Sequence, residues 1–362
     1  MFSFLELNYL SALLRDAMKL AKQKNQDQRP VSLFKLVSYG PQSLFCRGHI
    51  QIEGLYMKIS RRNAFTAMAM GAMGITRPLI LRGMGTESLS SFRFCLNTST
   101  ISGQDSGLME YIEIASKAGY DGIEIWVRDV KAALNTGHTL SSINVFIADH
   151  GLKVENAIGF APWMADGEAG FIQMKQDMEM LAGIGCHRIA APPAGVPADQ
   201  VLDLFDTGIK YKRLLDLGRE TGVMPQLEFW GASPVLWHLG QVLMIAAAAD
   251  DPDVKILPDV YHMFRGGSGF NALKILGGNL IDIFHMNDYP GSIPREQQGD
   301  NDRVYPGDGS APMKQILTEL RNMGGEKVLS LELFNPGYWE EEPLLVARRG
   351  LDKMKALAQE LG

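Results

Sequence analysis

The sequence predicts an α/β protein whose main part is a (β/α)8 barrel, or TIM barrel, with an N-terminal extension outside the barrel. Eight short apolar runs alternate with amphipathic segments along residues 91–362, which is the pattern of parallel strands and covering helices. The main alternative is a doubly wound open sheet, but no Gly-x-Gly-x-x-Gly motif follows the first run. Of the 362 residues, 46% are hydrophobic and 21% are charged, which is enough apolar material for a large core.

The predicted strands are short and mostly rich in Ile, Val, Leu or Phe, as expected for strands buried on both faces. In chain order they are Phe92–Leu96, Gly122–Val127, Lys153–Ile158, His187–Ala191, Val223–Phe229, Val254–Asp259, Leu280–Met286 and Lys327–Leu333.

The segments between these runs have the apolar spacing of helices. In Leu108–Ala118, apolar residues recur at helical spacing, and Gly119 follows as a C-cap residue. Comparable helices are predicted at Phe171–Ala182, Ala198–Arg219, Met313–Met323 and Pro343–Leu361.

The first ninety residues differ from the barrel. Residues 1–56 are interpreted as a non-native or disordered extension, because aliphatic and basic residues mix there without a sustained period. Residues 57–90 are interpreted as an export signal and linker. In that segment Arg61 and Arg62 precede a weakly apolar run, a layout similar to a twin-arginine signal.

This interpretation predicts that translation starts at Met57 and that the protein is exported to the periplasm. The alternative is an ordinary amphipathic N-terminal helix with two surface arginines, in a cytoplasmic protein. N-terminal sequencing of the native protein distinguishes the two, since a chain that begins near Met1 rejects the export hypothesis.

Charge and composition argue against several classes of protein. Lys and Arg number 35 against 41 Asp and Glu, a net charge of −6, whereas a nucleic-acid binder carries a basic face. No apolar run reaches about 18 residues, so no stable membrane insertion is expected. Cys46, Cys95 and Cys186 lie far apart without a Cys-x-x-Cys pair, so neither a disulfide framework nor a structural zinc site is indicated.

Polar residues end the last four predicted strands, at the edge where such barrels place their active sites. In order, these residues are Glu228, Asp259, His285 and Glu332. Burying carboxylates at apolar strand ends is costly without a partner, and one divalent cation would satisfy all four residues. An oxygen-rich set with one imidazole suits Mn²⁺, Mg²⁺ or Co²⁺ better than a thiolate-preferring metal. The alternative is a set of unconnected polar residues at the rim.

These strand ends carry a family resemblance. The segments LEFW, LPDVYH, FHMND and SLELF, in that order, resemble the metal-binding strands of the xylose isomerase-like barrel superfamily, and most closely the sugar phosphate isomerase/epimerase family. The pair Asp259 and His262 and the segment Arg303–Gly309 are its more specific parts. The resemblance covers residues 91–362.

The resemblance implies the roles of particular residues. His262 would hydrogen-bond a substrate oxygen, and Arg303 would hold substrate hydroxyls or a carboxylate. Near other strand ends, Trp126 and Trp230 are candidates to stack against a sugar ring. Glu124 and Glu155, in the second and third predicted strands, are candidates to bind hydroxyls, although they are equally suited to ion pairs with Arg128 or Lys153. One divalent ion, Mn²⁺ foremost and otherwise Mg²⁺, Co²⁺ or Zn²⁺, would be bound by Glu228, Asp259, His285 and Glu332.

The implied chemistry is proton transfer next to a carbonyl group. A cation that chelates a carbonyl and its neighbouring hydroxyl acidifies the C–H bond and stabilises the enediolate that forms. Glu228 and Glu332 would then carry the proton, which makes the protein an isomerase or epimerase of a sugar or keto-sugar. Expulsion of a β-substituent would instead give a dehydratase or lyase. Pro234 stands where ketose 3-epimerases have a further substrate-binding Glu, which weakens a plain ketose epimerase assignment.

Two other classes remain as alternatives. An endonuclease IV-like nuclease would need further histidines on the early strands, and the second and third predicted strands contain none. A non-catalytic sugar-binding barrel would be expected to lose at least one of the four ligands, and all four are present. The expected partner is therefore a small carbohydrate and no nucleic acid, with homo-oligomers common in the family resembled.

Overall fold

The computed structural model describes residues 92–104, 106–165 and 167–362. The predicted extension 1–56 and the predicted export segment 57–90 lie outside the described residues. Within the described part of the chain, none of the helices is long and apolar enough to cross a membrane.

Eight short parallel strands form the centre of the described region and confirm the predicted barrel. They are β1 Phe92–Asn97, β2 Gly122–Trp126, β3 Lys153–Ile158, β4 Arg188–Ala191, β5 Met224–Glu228, β6 Ile256–Leu257, β7 Ile283–Met286 and β8 Lys327–Leu331.

The strands follow one another around a ring that the first and last strands close. One sheet has the order β3-β2-β1-β8-β7, and the other has the order β4-β5-β6. Strands β1 and β8 pair in parallel from Phe92 opposite Lys327 onward. Between β6 and β7 the ladder is reduced to one bridge, Asp259 opposite His285, where the His285 N–H donates to Pro258 O at 3.0 Å. This β6–β7 seam lies directly below the carboxyl ends of the two strands.

Helices cover the outside of the ring, and the start of the fifth helix corrects the sequence prediction. The helix expected from Ala198 begins at Leu204, because the Asp203 carboxylate accepts the backbone N–H groups of Phe205 and Asp206. The helices are α1 Leu108–Ala118, α2 Val127–Asn135, α3 Leu140–Asp149, α4 Ala169–Ala182, α5 Leu204–Thr221, α6 Leu239–Ala249, α7 Val260–Arg265, α8 Met313–Asn322, α9 Pro336–Trp339 and α10 Pro343–Gln359.

The predicted strand Val254–Asp259 was also too long, since β6 has two residues. The side chain of Asp259 accepts the backbone N–H of His262 at 2.7 Å and so begins α7 directly after the strand. The same bond fixes the Asp259 carboxylate at the carboxyl end of the barrel.

Side chains inside the ring alternate along each strand with a period of two residues. The lower positions are apolar and form one small buried cluster, which includes Cys95, Ala190, Leu257, Ile283 and Val328. Two residues further along the strands, the inward positions are polar and buried: Asn97, Glu124, Asn156, Gln226, His285 and Ser330. The barrel interior is therefore a packed apolar plug below a polar layer, with the strand-end residues above both.

Candidate metal centre and adjoining cavity

Three side chains meet at the carboxyl end of the barrel. Asp259, His285 and Glu332 are buried, and one ligand atom from each lies within 4.8 Å of the other two. Asp259 is held by α7, His285 lies within β7, and Glu332 follows β8, where its backbone N–H donates to Met286 O at 3.1 Å. The structure thus brings together three of the four predicted metal ligands as one cluster.

His285 has one ring nitrogen turned towards Glu124 and the other turned towards the cluster. Its Nε2 lies 3.0 Å from Glu124 Oε1, and its Nδ1 lies 3.2 Å from Glu332 Oε2 and 3.8 Å from Asp259 Oδ2. Burial lowers the pKa of His285, but the carboxylates of Glu124 and Glu332 outweigh burial and raise that pKa well above its usual value. A cation bound to Nδ1 would therefore take the place of a proton.

Glu124 is held from four directions in the polar layer. Its Oε1 accepts from Asn156 Nδ2 at 2.7 Å and faces His285, and its Oε2 accepts from Asn97 Nδ2 at 2.9 Å and Ser330 Oγ at 2.5 Å. Burial raises the pKa of Glu124, yet His285 and these donors lower it overall, so the carboxylate stays ionised. Such a fixed carboxylate orients the imidazole ring that it contacts.

Glu228, the fourth predicted ligand, stands slightly apart from the three-residue cluster. Burial raises its pKa to about 8, helped by the nearby carboxylates of Glu332 and Asp259. Its Oε2 atom is buried and has no hydrogen-bond partner among the described residues. A buried carboxyl oxygen without a partner is costly, so this atom is suited to a ligand.

Arg303 closes the cluster from above. Its Nη1 donates to Asp259 Oδ2 at 3.0 Å and to Glu332 Oε2 at 2.9 Å, and its Nη2 contacts Asp300 Oδ1 at 2.5 Å and His262 Nε2 at 3.1 Å. Burial lowers the pKa of Arg303, but the three carboxylates raise it overall. Burial also lowers the pKa of His262, which leaves its ring neutral.

The residues fit a divalent cation. Among the described residues, the Glu228 Oε2 atom is buried without a hydrogen-bond partner, and the buried His285 Nδ1 atom faces the Glu332 and Asp259 carboxylates. Three carboxylates and one imidazole form a donor set of the kind that Mn²⁺, Mg²⁺, Co²⁺ and Zn²⁺ accept. Asp259, His285 and Glu332 therefore form a candidate divalent metal site, and Glu228 is placed to complete it.

A cavity of about 580 Å³ opens above the cluster, and Glu228 and Glu332 both line it. His262, Arg303 and Ser233 add polar groups to its wall. Most of the remaining surface is aromatic, from Trp126, Phe160, Trp230, Phe334 and Trp339. Such a concave pocket, largely apolar with a few convergent polar groups, is typical of a small-molecule site.

Predicted site residues divide into those at the cavity and those elsewhere. His262, Arg303, Trp126 and Trp230, which were predicted to bind substrate, line the cavity. Glu155 does not: it makes ion pairs with Arg93 at 2.7 Å and Arg188 at 3.4 Å, near the amino ends of the strands. The substrate-binding prediction for Glu155 is therefore withdrawn. The ion-pair alternative holds, with different partners from those expected.

Several site residues were missed from the sequence. Glu124 was considered for substrate binding or an ion pair but not as the partner of His285. Asn97 was not considered at all, although its Nδ2 also donates to Glu332 Oε1 at 3.0 Å. Phe334 and Trp339 in the cavity wall were missed as well. Phe334 was within reach of the sequence, because it lies two residues after Glu332 and inward positions repeat every two residues.

Taken together, the fold and the site define an α/β barrel with a candidate metal site at the carboxyl ends of its strands. The family model described as "Xylose isomerase-like TIM barrel" matches residues 112–357. The chain belongs to this family.

Two curated relatives and one solved structure are similar to this chain over most of its barrel. An inosose isomerase from Bacillus velezensis is 28% identical over 272 residues, which is 71% of this chain and 94% of that protein. A 3-dehydroshikimate dehydratase from Pseudomonas aeruginosa is 24% identical over 247 residues, which is 64% of this chain and 37% of that protein. The crystal structure of the IOLI protein with a binding zinc atom has a TM-score of 0.69 and 24% identity, over 75% of this chain and 99% of that one.

Proposed function

We propose that this protein is a divalent-metal-dependent isomerase or epimerase of a sugar or keto-sugar. The observation that carries the proposal is the position of two carboxylates: Glu332 belongs to the three-residue cluster, Glu228 lies beside that cluster, and both line the cavity. The inosose isomerase relatives support an isomerase on a cyclic polyhydroxylated substrate. Asp259, His285, Glu332 and Glu228 would hold the ion, for which Mn²⁺ is our first choice.

The bound ion supplies Lewis-acid stabilisation of negative charge on substrate oxygens. Glu228 and Glu332 carry the proton: one carboxylate removes it from the carbon beside the carbonyl, and the other returns it. Arg303 Nη1 holds Glu332 Oε2 at 2.9 Å and so fixes one of the two carriers. Trp126 and Trp230 pack against the apolar face of the ring and exclude water.

A second candidate function is elimination. The relation to 3-dehydroshikimate dehydratases supports it, because loss of a β-substituent begins with the same proton removal. The two functions differ in the product and in whether a leaving group is released. A single assay that follows both the exchanged proton and the product therefore distinguishes them.

The test is proton NMR in D₂O with the purified Mn²⁺-loaded protein and a panel of ketoses, aldoses, inososes and 3-keto-glucosides. We expect deuterium to enter beside a carbonyl above the enzyme-free rate. Glu228→Gln and Glu332→Gln should each reduce that rate about 10²–10⁴-fold. The exposed Glu360→Gln is the matched control and should leave the rate unchanged. Absence of exchange across the panel, with metal fully bound, would count against the proposal.

Location is a separate part of the proposal. We infer that the segment 57–90 directs export through a twin-arginine route and that the barrel acts outside the cytoplasm on free sugars, keto-sugars or keto-glycosides. The paired Arg61 and Arg62 support this inference. Fractionation of the native host, followed by N-terminal sequencing of the periplasmic protein, tests it, with Arg61→Lys and Arg62→Lys together expected to abolish export.

A further inference from the structure

A second, smaller pocket adjoins the main cavity at the rim of the barrel. It has a volume of about 170 Å³, and it shares Trp126, Ile158 and Phe160 with the wall of the main cavity. Its other side is formed by α2 and α4. We call it the side pocket and define it by Trp126, Arg128, Lys131, Phe160, Gln173 and Asp177.

Asp177 in the side pocket has an unused hydrogen-bonding atom. The residue is 1% exposed on α4, and its Oδ1 is 2.6 Å from Lys131 Nζ on α2. Its Oδ2 is buried and has no partner in the part of the chain that the structure describes. Lys131 keeps donors to spare, because its ammonium group has three and its side chain is half exposed. The side pocket thus offers one free acceptor and at least one free donor side by side.

Aromatic rings stand next to these polar groups. The rings of Trp126 and Phe160 have centroids 5.4 Å apart, and the Arg128 guanidinium lies 4.1 Å from the centroid of the Trp126 ring. Phe160 is 45% exposed, a large fraction for a ring that lines two pockets. Aromatic surfaces beside hydrogen-bonding groups match a molecule with one apolar face and a polar edge.

The charges select among possible ligands. Both cations of the side pocket already have partners, since Lys131 pairs with Asp177 at 2.6 Å and Arg128 lies over the Trp126 ring and 3.5 Å from Asp129. An anion would therefore find no unpaired cation and would be repelled by the buried Asp177 carboxylate. A neutral polyhydroxylated ring avoids this conflict, because its hydroxyls donate to Asp177 and accept from Lys131. Its C–H face would pack on Phe160. The side pocket therefore has the chemistry of a site for a second sugar ring.

We propose that the side pocket is a subsite for a second sugar ring, so that the preferred substrate is a glycoside or disaccharide rather than a free monosaccharide. The proposal rests on the function proposed above and names its substrate class. The ring that reacts would lie above Glu228 and Glu332, and the ring that only binds would lie beyond Trp126 and Phe160.

The experiment compares matched sugars that differ by one ring. With the Mn²⁺-loaded full chain, we would measure deuterium exchange and calorimetric dissociation constants for D-fructose against lactulose, and for methyl 3-keto-β-glucoside against 3-keto-cellobiose. In at least one pair we expect the two-ring sugar to bind about tenfold more tightly or more, as a few added hydrogen bonds would give. Equal affinity within both pairs would overturn the proposal.

Substitutions in the side pocket test whether the preference for two-ring sugars arises there. Asp177→Asn and Lys131→Met should each reduce the preference for the two-ring sugar about tenfold, whereas the exposed Glu179→Gln on the same helix α4 should keep it. Lys131→Met tests the subsite even if the buried Asp177→Asn fails to fold. An unchanged preference in Lys131→Met overturns the proposal.

Different results would reject the enzymatic function and the second-ring subsite. If no sugar of the panel or of the two pairs exchanges deuterium, the enzymatic function proposed above is contradicted, but the calorimetric ratio still decides the second-ring subsite. If monosaccharides exchange and no two-ring sugar binds more tightly, the proposed function stands and the subsite is rejected.

Discussion

Glu124 contacts the only histidine of the three-residue cluster and so bears on the geometry of the candidate metal site. It is buried below the cluster, touches His285 Nε2, and is itself fixed by Asn97, Asn156 and Ser330. Because the Nε2 atom of His285 contacts the Glu124 carboxylate, the Nδ1 atom of the same ring faces Asp259 and Glu332. A carboxylate beneath a ligating histidine sets both the orientation and the basicity of the ring.

Replacing Glu124 should therefore weaken metal binding without removing any ligand. We expect Glu124→Gln to reduce the affinity for Mn²⁺ about 10–100-fold, because the amide cannot accept from all of its present donors. Competition with a chelating fluorescent indicator measures the dissociation constant. The exposed Glu110→Gln is the control, and equal affinity in both variants would show that Glu124 does not position His285.

Metal binding should also release protons. In the metal-free protein at pH 7, Glu228 is mainly protonated because burial raises its pKa to about 8, and His285 is protonated because its pKa is raised well above its usual value. A cation binds the deprotonated forms, so its affinity should increase as the pH rises from 6 to 8, up to about tenfold per pH unit for each proton released.

Calorimetry in two buffers of different ionisation enthalpy counts the protons released. We expect at least one at pH 7. In Glu228→Gln the count should fall, since the amide has no proton to lose. A binding enthalpy that is the same in both buffers, and an affinity that does not vary with pH, would contradict the assignment of these groups as ligands.

At the residue scale, the sequence predicted the polar residues at the strand ends and missed the buried polar residues in the layer below them. Glu228, Asp259, His285 and Glu332 were accessible because each follows an apolar run. Glu124 lies inside a run that was interpreted as a buried strand, and Asn97 directly follows the first run, Phe92–Leu96, but an uncharged amide at a strand end was not recognised as part of the site. Their contacts depend on barrel closure, because Asn97 bonds to Glu332, 235 residues away.

Among the structural elements, the loop from Arg303 to Ala311 depends on one carboxylate. Asp288 Oδ1 accepts the N–H groups of Tyr289 at 2.8 Å and Ala311 at 2.9 Å, and its Oδ2 accepts those of Gly307 at 3.0 Å and Gly309 at 3.1 Å. The loop in turn carries Arg303 to the metal cluster. A side chain added at Gly309 would come within 2.3 Å of Asp288 Oδ1, so the approach requires glycine.

We expect Asp288→Asn to reduce the free energy of unfolding by about 2–4 kcal/mol, because the amide nitrogen would face backbone donors in a buried site. Urea denaturation measures the change. Asp308→Asn in the same loop is the control and should cost about 0–1 kcal/mol, since Asp308 forms a surface ion pair with Lys353. Equal losses in the two variants would contradict the role of Asp288 as the anchor of the loop.

The bounds of a helix or strand were predicted correctly where the alternation of apolar residues or a capping residue was visible in the sequence. They were predicted wrongly where one side-chain hydrogen bond ends a strand and begins a helix. Strand β3 and helix α1 have the predicted bounds, since alternation and the Gly119 cap were both visible. Strand β6 was overestimated because Asp259 caps a helix. That cap could not be distinguished from a strand end without knowing where the chain turns.

For the whole molecule, the metal should contribute to stability. A ligand present at about 100 times its dissociation constant stabilises the folded state by about 2.7 kcal/mol. For a barrel of this size we expect removal of the metal by chelation to lower the Tm by about 5–10 °C. Calorimetric scans with and without EDTA measure the shift, and Asp259→Asn should abolish most of it. An unchanged Tm on chelation would argue that the cluster holds no stabilising ion.

The β6–β7 seam gives the cluster a mechanical role. Glu228 and Asp259 come from the three-stranded sheet or the turn after it, whereas His285 and Glu332 come from the five-stranded sheet. A single ion bound by all four side chains would link the two sheets at the β6–β7 seam, where the backbone pairs through one β-bridge, Asp259 opposite His285. Removal of the ion would then loosen the β6–β7 seam, while the β1–β8 ladder, paired from Phe92 opposite Lys327 to Leu96 opposite Leu331, would stay closed.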